Sequence, residues 1–420
     1  MSMLHGNDDS AATTLRARCL LRLGRVREAA DELRDASLDG VLARAEVNVL
    51  TASTAARLES PDREEAFSDA ELILEELGSC SNLTAELAFI KARTAWTEGY
   101  LDRAEAFASA VLSADHDDGA SIVHLYHLRA MALELLGLIA ADRGQFDVAA
   151  VRFRDALSEI DAAPCPDEWI TAFVTANIAT MARDFPWSAD AAFLTDRINR
   201  VRWTASTASR RYYSCHGLGW CYAHEGNHVG ALRAFHRSAD VAPTIPLRIA
   251  AWADHAMLGR ELGSTIGAAE SAQYASDLAS TADWKTANDN EQVALLFLAE
   301  ALAPTDVSAA RAALKQYDDV RTSLETAESL RVNPRNIRIQ AFECRAEAVV
   351  ARAEGLIPRA HALFREEYTI WRRLGSGPRT AVAALDAYEL DGDRALLEEA
   401  RKAAESTPSS WIARRVAEFT

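Results

Sequence analysis

Two histidine pairs have the helical spacing that chemistry on one helix face requires: His124 and His127, three residues apart, and His224 and His228, four apart. Either spacing brings two imidazoles to one side of a helix, where they could share a metal ion. In neither pair does a Cys or a spaced carboxylate set complete a ligand group, and His228 lies beyond Gly226, a residue type that ends helices. The run Asp115-His116-Asp117-Asp118 has oxygen ligands suited to calcium but lacks the twelve-residue loop with its terminal Glu, so a solvated junction is expected there. Six cysteines, Cys19, Cys80, Cys165, Cys215, Cys221 and Cys344, are scattered without a C-x-x-C pair, as reduced core thiols would be. The sequence also lacks a G-x-x-x-x-G-K-[ST] phosphate loop, an H-E-x-x-H zinc helix and a G-x-S-x-G nucleophile elbow. A non-catalytic chain with no metal and no cofactor is expected.

The elements that must position any binding residues are helices. Text rich in Ala, Leu, Arg and Glu runs throughout the 420 residues, with 49% hydrophobic residues, 7% aromatics and no stretch of alternating β-branched residues. A formal charge of -17 opposes phosphate backbones and anionic membranes, so neither direct nucleic-acid binding nor membrane binding is expected. Met1 to Ser10 is polar, and the longest apolar stretch, Val293 to Ala303, is interrupted by Glu300 and too short to span a bilayer. The expected location is cytoplasmic.

A repeat organises these helices. After a Gly come Ala at +5, a bulky residue at +9 and a small residue at +12: Gly144, Ala149, Phe153, Ala156; Gly226, Ala231, Phe235, Ser238; Gly24, Ala29, Leu33, Ala36. Looser copies start at Gly99, Gly263, Gly355 and Gly392. The Gly supplies the left-handed turn that ends one helix, and the residues after it form one stripe of the next. Upstream, Leu136-Gly137 and Leu218-Gly219 hold the same places before Gly144 and Gly226, where two helices can approach closely. Prolines mark three further bends, near Ser60-Pro61, Asp184 to Pro186 and Ala303-Pro304. Bends are thus expected near 24, 60, 99, 144, 184, 226, 263, 303, 355 and 392, and all eleven prolines fall at a bend or junction. The longest irregular stretch, Ser280 to Asn290, reads as a hinge candidate, and 409–419 as a short capping helix that buries Trp411, Ile412 and Val416.

These residues resemble the tetratricopeptide repeat. That family's Leu-Gly, Tyr, Gly, Ala, Phe, small and Pro positions are matched by Leu218, Gly219, Tyr222, Gly226, Ala231, Phe235, Ser238 and Pro243, and Trp252 matches its early Trp. The bends are about 41 residues apart on average, against the standard 34, so lengthened helices or loops are expected. The resemblance implies an all-α, right-handed superhelical α-solenoid of about ten antiparallel hairpins, with 1–420 as a single array.

In that family the first helix of each pair lines a concave groove. Carried over through the bends, the groove positions are Tyr213, His216, Trp220, Ala223 and His224 in the centre. Neighbouring first helices add Met131, Glu134 and Leu138, then Ala250, Ala253, Met257 and Arg260; further out lie Phe89, Arg93 and Trp96 on one side and Arg345 and Arg352 on the other. An aromatic centre flanked by arginines would suit a peptide with apolar anchors and acidic groups. Exposed together, His216 and His224 would make the groove pH-sensitive near neutrality. The family's Lys and Asn clamp for acidic C-terminal peptides is missing from the central repeats, so a chaperone-tail receptor is not implied. The expected function is a protein- or peptide-binding scaffold. The alternative is a regulatory sensor of bacterial signal transduction or transcriptional control, in which a peptide or small-molecule effector acts through a separate output partner. Oligomeric state is left open.

Overall fold

A computed structural model describes residues 6–34, 36, 40–78, 81–114, 122–165, 167–184, 191–200, 208–287, 289–325, 336–406 and 409–419. The acidic run at Asp115, Cys80 and the Pro186 half of one expected bend lie outside the described residues. Among those described there is no β-strand. The first helices are α1 (Gly6–Arg22), α2 (Val26–Arg34), α3 (Val41–Arg57), α4 (Arg63–Leu77), α5 (Ser81–Thr97), α6 (Leu101–Leu112), α7 (Ile122–Asp142), α8 (Phe146–Ala162), α9 (Glu168–Ala179) and α10 (Ala191–Arg200). They are followed by α11 (Ala208–Glu225), α12 (His228–Val241), α13 (Ile245–Glu261), α14 (Thr265–Ala279), α15 (Asp289–Gln292), α16 (Ala294–Leu302), α17 (Val307–Glu325) and α18 (Asn336–Ala353). The last four are α19 (Ile357–Leu374), α20 (Gly377–Asp391), α21 (Arg394–Glu405) and α22 (Ser410–Ala417).

The glycine-marked bends follow from backbone sterics. Gly24, Gly99, Gly144, Gly226, Gly263, Gly355 and Gly392 all have φ between 71° and 82°, a region closed to most side chains. At Gly226 the Gly amide donates to the Ala223 carbonyl at 3.2 Å and Asn227 N–H donates to Tyr222 at 2.8 Å, so orphan carbonyls of α11 are satisfied. Asn227 then caps α12 by accepting from Gly230 N–H at 3.0 Å. At the proline-marked bend near 60 the left-handed position is taken instead by Glu59, with φ 52°. Prolines 246, 358 and 378 sit in the first turns of α13, α19 and α20, where no amide hydrogen is missed.

Each second helix presents one apolar stripe. In α12 this is Ala231, Ala234, Phe235, Ser238 and Ala239, all buried. Phe235 reaches the bare backbone of Gly219, where a Cβ would lie 2.6 Å from the ring, and Phe153 meets Gly137 in the same way at 2.5 Å. Large against absent is what seats the two helices of a hairpin.

The chain forms two compact units. One holds residues 1–139, 148–174 and 204–207; the other holds 140–147, 175–203 and 208–420. In the first, α1, α3 and α5 pack against one another, with α2 on α1, α4 on α3 and α6 on α5. Its core joins Val49 and Ala52 to Phe67, Ile73 and Leu74, and to Leu83 and Leu87. In the second, α13, α16 and α18 pack in succession, with α14, α17 and α19 paired to them. The hinge candidate is pinned here: Trp284 is buried and donates through Nε1 to the Ala279 carbonyl at 3.2 Å. α22 packs on α21, α20 and α11, with Ile412 and Val416 buried and Trp411 half-buried.

Candidate functional site

The stripe expected to form the centre of the groove is turned inward. Trp220 is 5% exposed and His224 2%, while Tyr213 and His216 are half-buried. The physical reason is Asp254 on α13, a carboxylate with no access to solvent. Trp220 Nε1 donates to Asp254 Oδ2 at 3.0 Å, and His216 Nε2 lies 2.9 Å from the same oxygen. Arg183 pairs with Asp254 Oδ1 at 3.1 Å, and its guanidinium carbon lies 3.4 Å from the Phe297 ring centre and 5.4 Å from Trp220. Burial lowers the Arg183 pKa to about 10; burial would raise that of Asp254, but Arg183 and His216 outweigh it. Next to Arg183, the fully buried Asp184 accepts from Arg338 Nε at 2.7 Å and Arg379 Nε at 3.0 Å, and its carbonyl accepts from Ser376 Oγ at 2.6 Å. The chain's own residues fill the place expected for a ligand.

His224 is satisfied from both sides. Its Nε2 is 3.1 Å from the Ala182 carbonyl and must donate; Nδ1, 2.9 Å from Ser409 Oγ, then accepts. Burial pushes its pKa down to about 4, so the expected titration near neutrality does not occur at this residue. Burial, with Glu291, lifts Tyr213 to about 12.

The other expected positions are also engaged. Arg260 Nη2 donates to the Ala301 carbonyl at 2.6 Å, and Met257 is half-buried beside it on α13. Arg345 is buried among Glu300 of α16, Glu367 of α19 and Asp386 of α20, at 2.5, 3.4 and 2.9 Å. Burial raises Glu367 to about 7, whereas Arg415 and Arg345 overcome burial to hold Asp386 at about 2. Arg352 pairs with Glu389 at 3.2 Å. Met131 and Glu134 are buried on α7 rather than displayed.

Arg93 and Trp96, half-buried on α5, have a different setting in the first unit. The Arg93 guanidinium lies 4.9 Å from the Trp96 ring centre and 5.5 Å from Phe173 of α9. Phe173 stacks on Trp169 with ring centres 5.6 Å apart and planes 7° from parallel, and Arg22, the last residue of α1, lies 5.4 Å over Trp169. Trp96, Phe173 and Trp169 are half-buried and Arg22 is exposed, which makes a ladder of cations and rings that reaches solvent. Asp167 positions it: Oδ1 accepts from the backbone N–H groups of Trp169 and Ile170 at 2.8 and 3.2 Å, capping α9, and Oδ2 pairs with Arg22 at 2.8 Å. Trp169 Nε1 donates to the Arg22 carbonyl at 2.9 Å. Arg57 donates to the preceding carbonyl, Leu21, at 2.9 Å, and burial together with the Arg93 charge lowers its pKa. The carboxylates facing the three arginines are Asp167, paired with Arg22, the buried Glu134, 3.8 Å from Arg93, and Glu86, whose charge acts on Arg57.

Farther along α1 and α5, Arg18 grips Glu86 through both carboxylate oxygens at 2.7 and 3.0 Å, with His124 Nε2 3.4 Å from Glu86. Burial would raise the Glu86 pKa, but the His124 hydrogen bond and Arg18 hold it at about 2. His127 instead accepts from Asp167 N–H at 3.3 Å, so the two histidines of that pair serve different partners. The Gly226 bend separates His224 from His228, and no cluster of three metal-ligand residues occurs among the described residues. Among the cysteines, Cys221 and Cys344 are core thiols as expected, whereas Cys19 and Cys165 are exposed. The helix spacing exposed neither Arg22 nor Trp169 as site residues; the available signal was the Pro166-Asp167 helix start just before Trp169.

Paired antiparallel helices, left-handed glycine bends and rings seated on bare glycine backbone define the architecture. The fold is TPR-like. No family model matches the sequence, and no curated protein does. Among solved structures it is similar to a Rap protein complexed with competence and sporulation factor, at 13% identity and TM-score 0.44, over 84% of this chain and 99% of that one. It is similar to yeast Tom70 at 13% identity and TM-score 0.43, over 98% and 88% of the two chains. The Cut9-Hcn1 hetero-tetramer of the APC/C matches at 13% identity and TM-score 0.37, over 95% and 84%. Among the described residues no helix is long and apolar enough to cross a membrane.

Proposed function

We propose that this TPR-like chain is a non-catalytic protein- or peptide-binding scaffold, and that its docking strip is the ladder Arg22, Trp169, Phe173, Arg93 and Trp96. The observation that carries this reading is the ladder's solvent access, with two guanidinium groups set against three half-buried rings in a chain of net charge -17. Half-exposed rings offer faces for apolar or aromatic anchors, and guanidinium edges offer paired donors to carboxylates. An extended acidic peptide with an aromatic or aliphatic anchor fits both features. The central residues Tyr213, His216, Trp220 and His224 have no part in this reading: Asp254 engages His216 and Trp220, Ser409 and the Ala182 carbonyl engage His224, and Tyr213 is half-buried.

Selection of random dodecapeptides on immobilised protein tests it, run in parallel on wild type and on an Arg93→Ala/Trp169→Ala variant that keeps its helical circular dichroism. Wild type should enrich peptides carrying Asp or Glu beside an aromatic. Calorimetry on the best of them should give at least tenfold weaker binding to the variant, or about 1.4 kcal/mol. Peptide pools that are the same for both proteins, or that show no acidic enrichment, would refute the assignment of the strip.

A further inference from the structure

α22 packs on α21, its neighbour in sequence, and is also held by helices remote from it. Eight residues make too short a helix to be stable alone in water. It is nevertheless seated on α11 and α20, with Ile412 and Val416, four positions apart, forming one buried apolar stripe. Trp411 lies beside it, its ring centre 6.5 Å from His224, and Ser409 Oγ meets His224 Nδ1 at 2.9 Å.

The charged half of the seat is more specific. Arg414 Nη2 donates to the Glu261 carbonyl at the end of α13, at 2.7 Å. Arg415 is drawn into a set of carboxylates: Asp386, in direct contact, Glu389 at 3.4 Å and Glu261 at 3.9 Å. Its side chain is 13% exposed and that of Asp386 is 1% exposed, so this pairing is largely shielded from water. The floor is shaped for close approach as well, because a Cβ on Gly226 would lie 2.7 Å from Ser410 Oγ.

We propose that the face built from α11, α13 and α20 is a docking site for a basic amphipathic helix supplied by a partner protein, and that α22 is its occupant in cis. The partner's chemistry is read from the occupant: two aliphatic residues four positions apart, an aromatic preceding the first, and an arginine placed to reach Asp386, as in Trp411, Ile412, Arg415 and Val416. This site is independent of the Arg22 to Trp96 ladder, so either can fail without the other.

The test uses the full chain with a protease site placed between Ser406 and Ser409 and, as probe, a fluorescent peptide of the Pro408 to Thr420 sequence. A tethered helix competes at an effective concentration on the order of millimolar, so the uncut chain should bind the probe at least about 100-fold more weakly than the cut chain. In the cut chain, anisotropy should show saturable exchange, weakened at least tenfold by Arg415→Ala or Ile412→Ala in the peptide. A cleaved segment that stays bound through gel filtration and never exchanges would overturn the proposal, as would loss of hydrogen-exchange protection in α11 and α20 on its release; α22 would then be core. Dimerisation that requires α22 would assign the face to a second copy and overturn the partner assignment.

Discussion

His224 couples acid to the seat of α22, and the size of the effect follows from its surroundings. Its imidazole is neutral, with Nε2–H donating to Ala182 and Nδ1 accepting from Ser409, and burial, followed by the Arg379 charge, lowers its pKa from 6.5 to about 4. The unfolded chain takes up this proton as pH falls through 6.5, while the folded chain does so only near 4. The contribution of His224 to stability is therefore complete above about pH 6.5 and is lost as pH falls from there to about 4. A gap of roughly 2.5 units at 1.36 kcal/mol each makes the loss about 3 kcal/mol. Hydrogen-exchange mass spectrometry on α11 at pH 7.5 and 4.5, corrected for intrinsic rates, measures it as a local opening free energy. His224→Gln, which has no titrating group, should remove most of the difference between the two pH values. Parallel behaviour of wild type and variant, or an NMR titration of His224 with a midpoint near 6.5, would show that the reasoning is wrong.

Gly219→Ala would set a methyl 2.6 Å from the Phe235 ring, forcing the α11 and α12 hairpin apart at a cost of about 1–3 kcal/mol, read as a lower urea midpoint for unit-two unfolding. The double variant Gly219→Ala/Phe235→Leu should recover part of that loss, and no recovery would mean that Phe235 is not the obstacle. At the bend before α4, Glu59→Gly relieves a left-handed non-glycine residue at φ 52° and should raise stability by up to about 1 kcal/mol, unless the unfolded-state entropy of Gly cancels it. A measured destabilisation would speak against strain at Glu59.

The hairpins were legible because their signals are local. A glycine that must adopt positive φ, and a Phe nine residues after it that must find a bare backbone, are constraints written within one repeat, and Gly226 with Phe235 and Gly219 meets them as expected. The bend at Glu59 was placed by its proline, but its left-handed residue was not, since Glu carries no such preference. Burial of Trp220 and His224 was illegible for a different reason. It depends on Asp254 one hairpin away and on Arg183 in the turn that follows α9, and repeat spacing says which residues share a stripe, not what lies across from them. The ladder was half legible: Arg93 and Trp96 lie on a first helix at groove positions, whereas Arg22 and Trp169, separated by 147 residues, are joined only by tertiary packing.

Arg345 has a bearing on how such arrays diversify. Its three carboxylate partners come one each from α16, α19 and α20, so Arg345 meets all of them only when these helices are neighbours in this order. An apolar hairpin interface tolerates almost any sequel with a matching stripe. Here, duplicating, deleting or transplanting a hairpin would leave an ionised group stranded in the interior, at several kcal/mol. Copying errors that change repeat number, the ordinary route by which solenoids lengthen and shorten, are thereby penalised in this stretch.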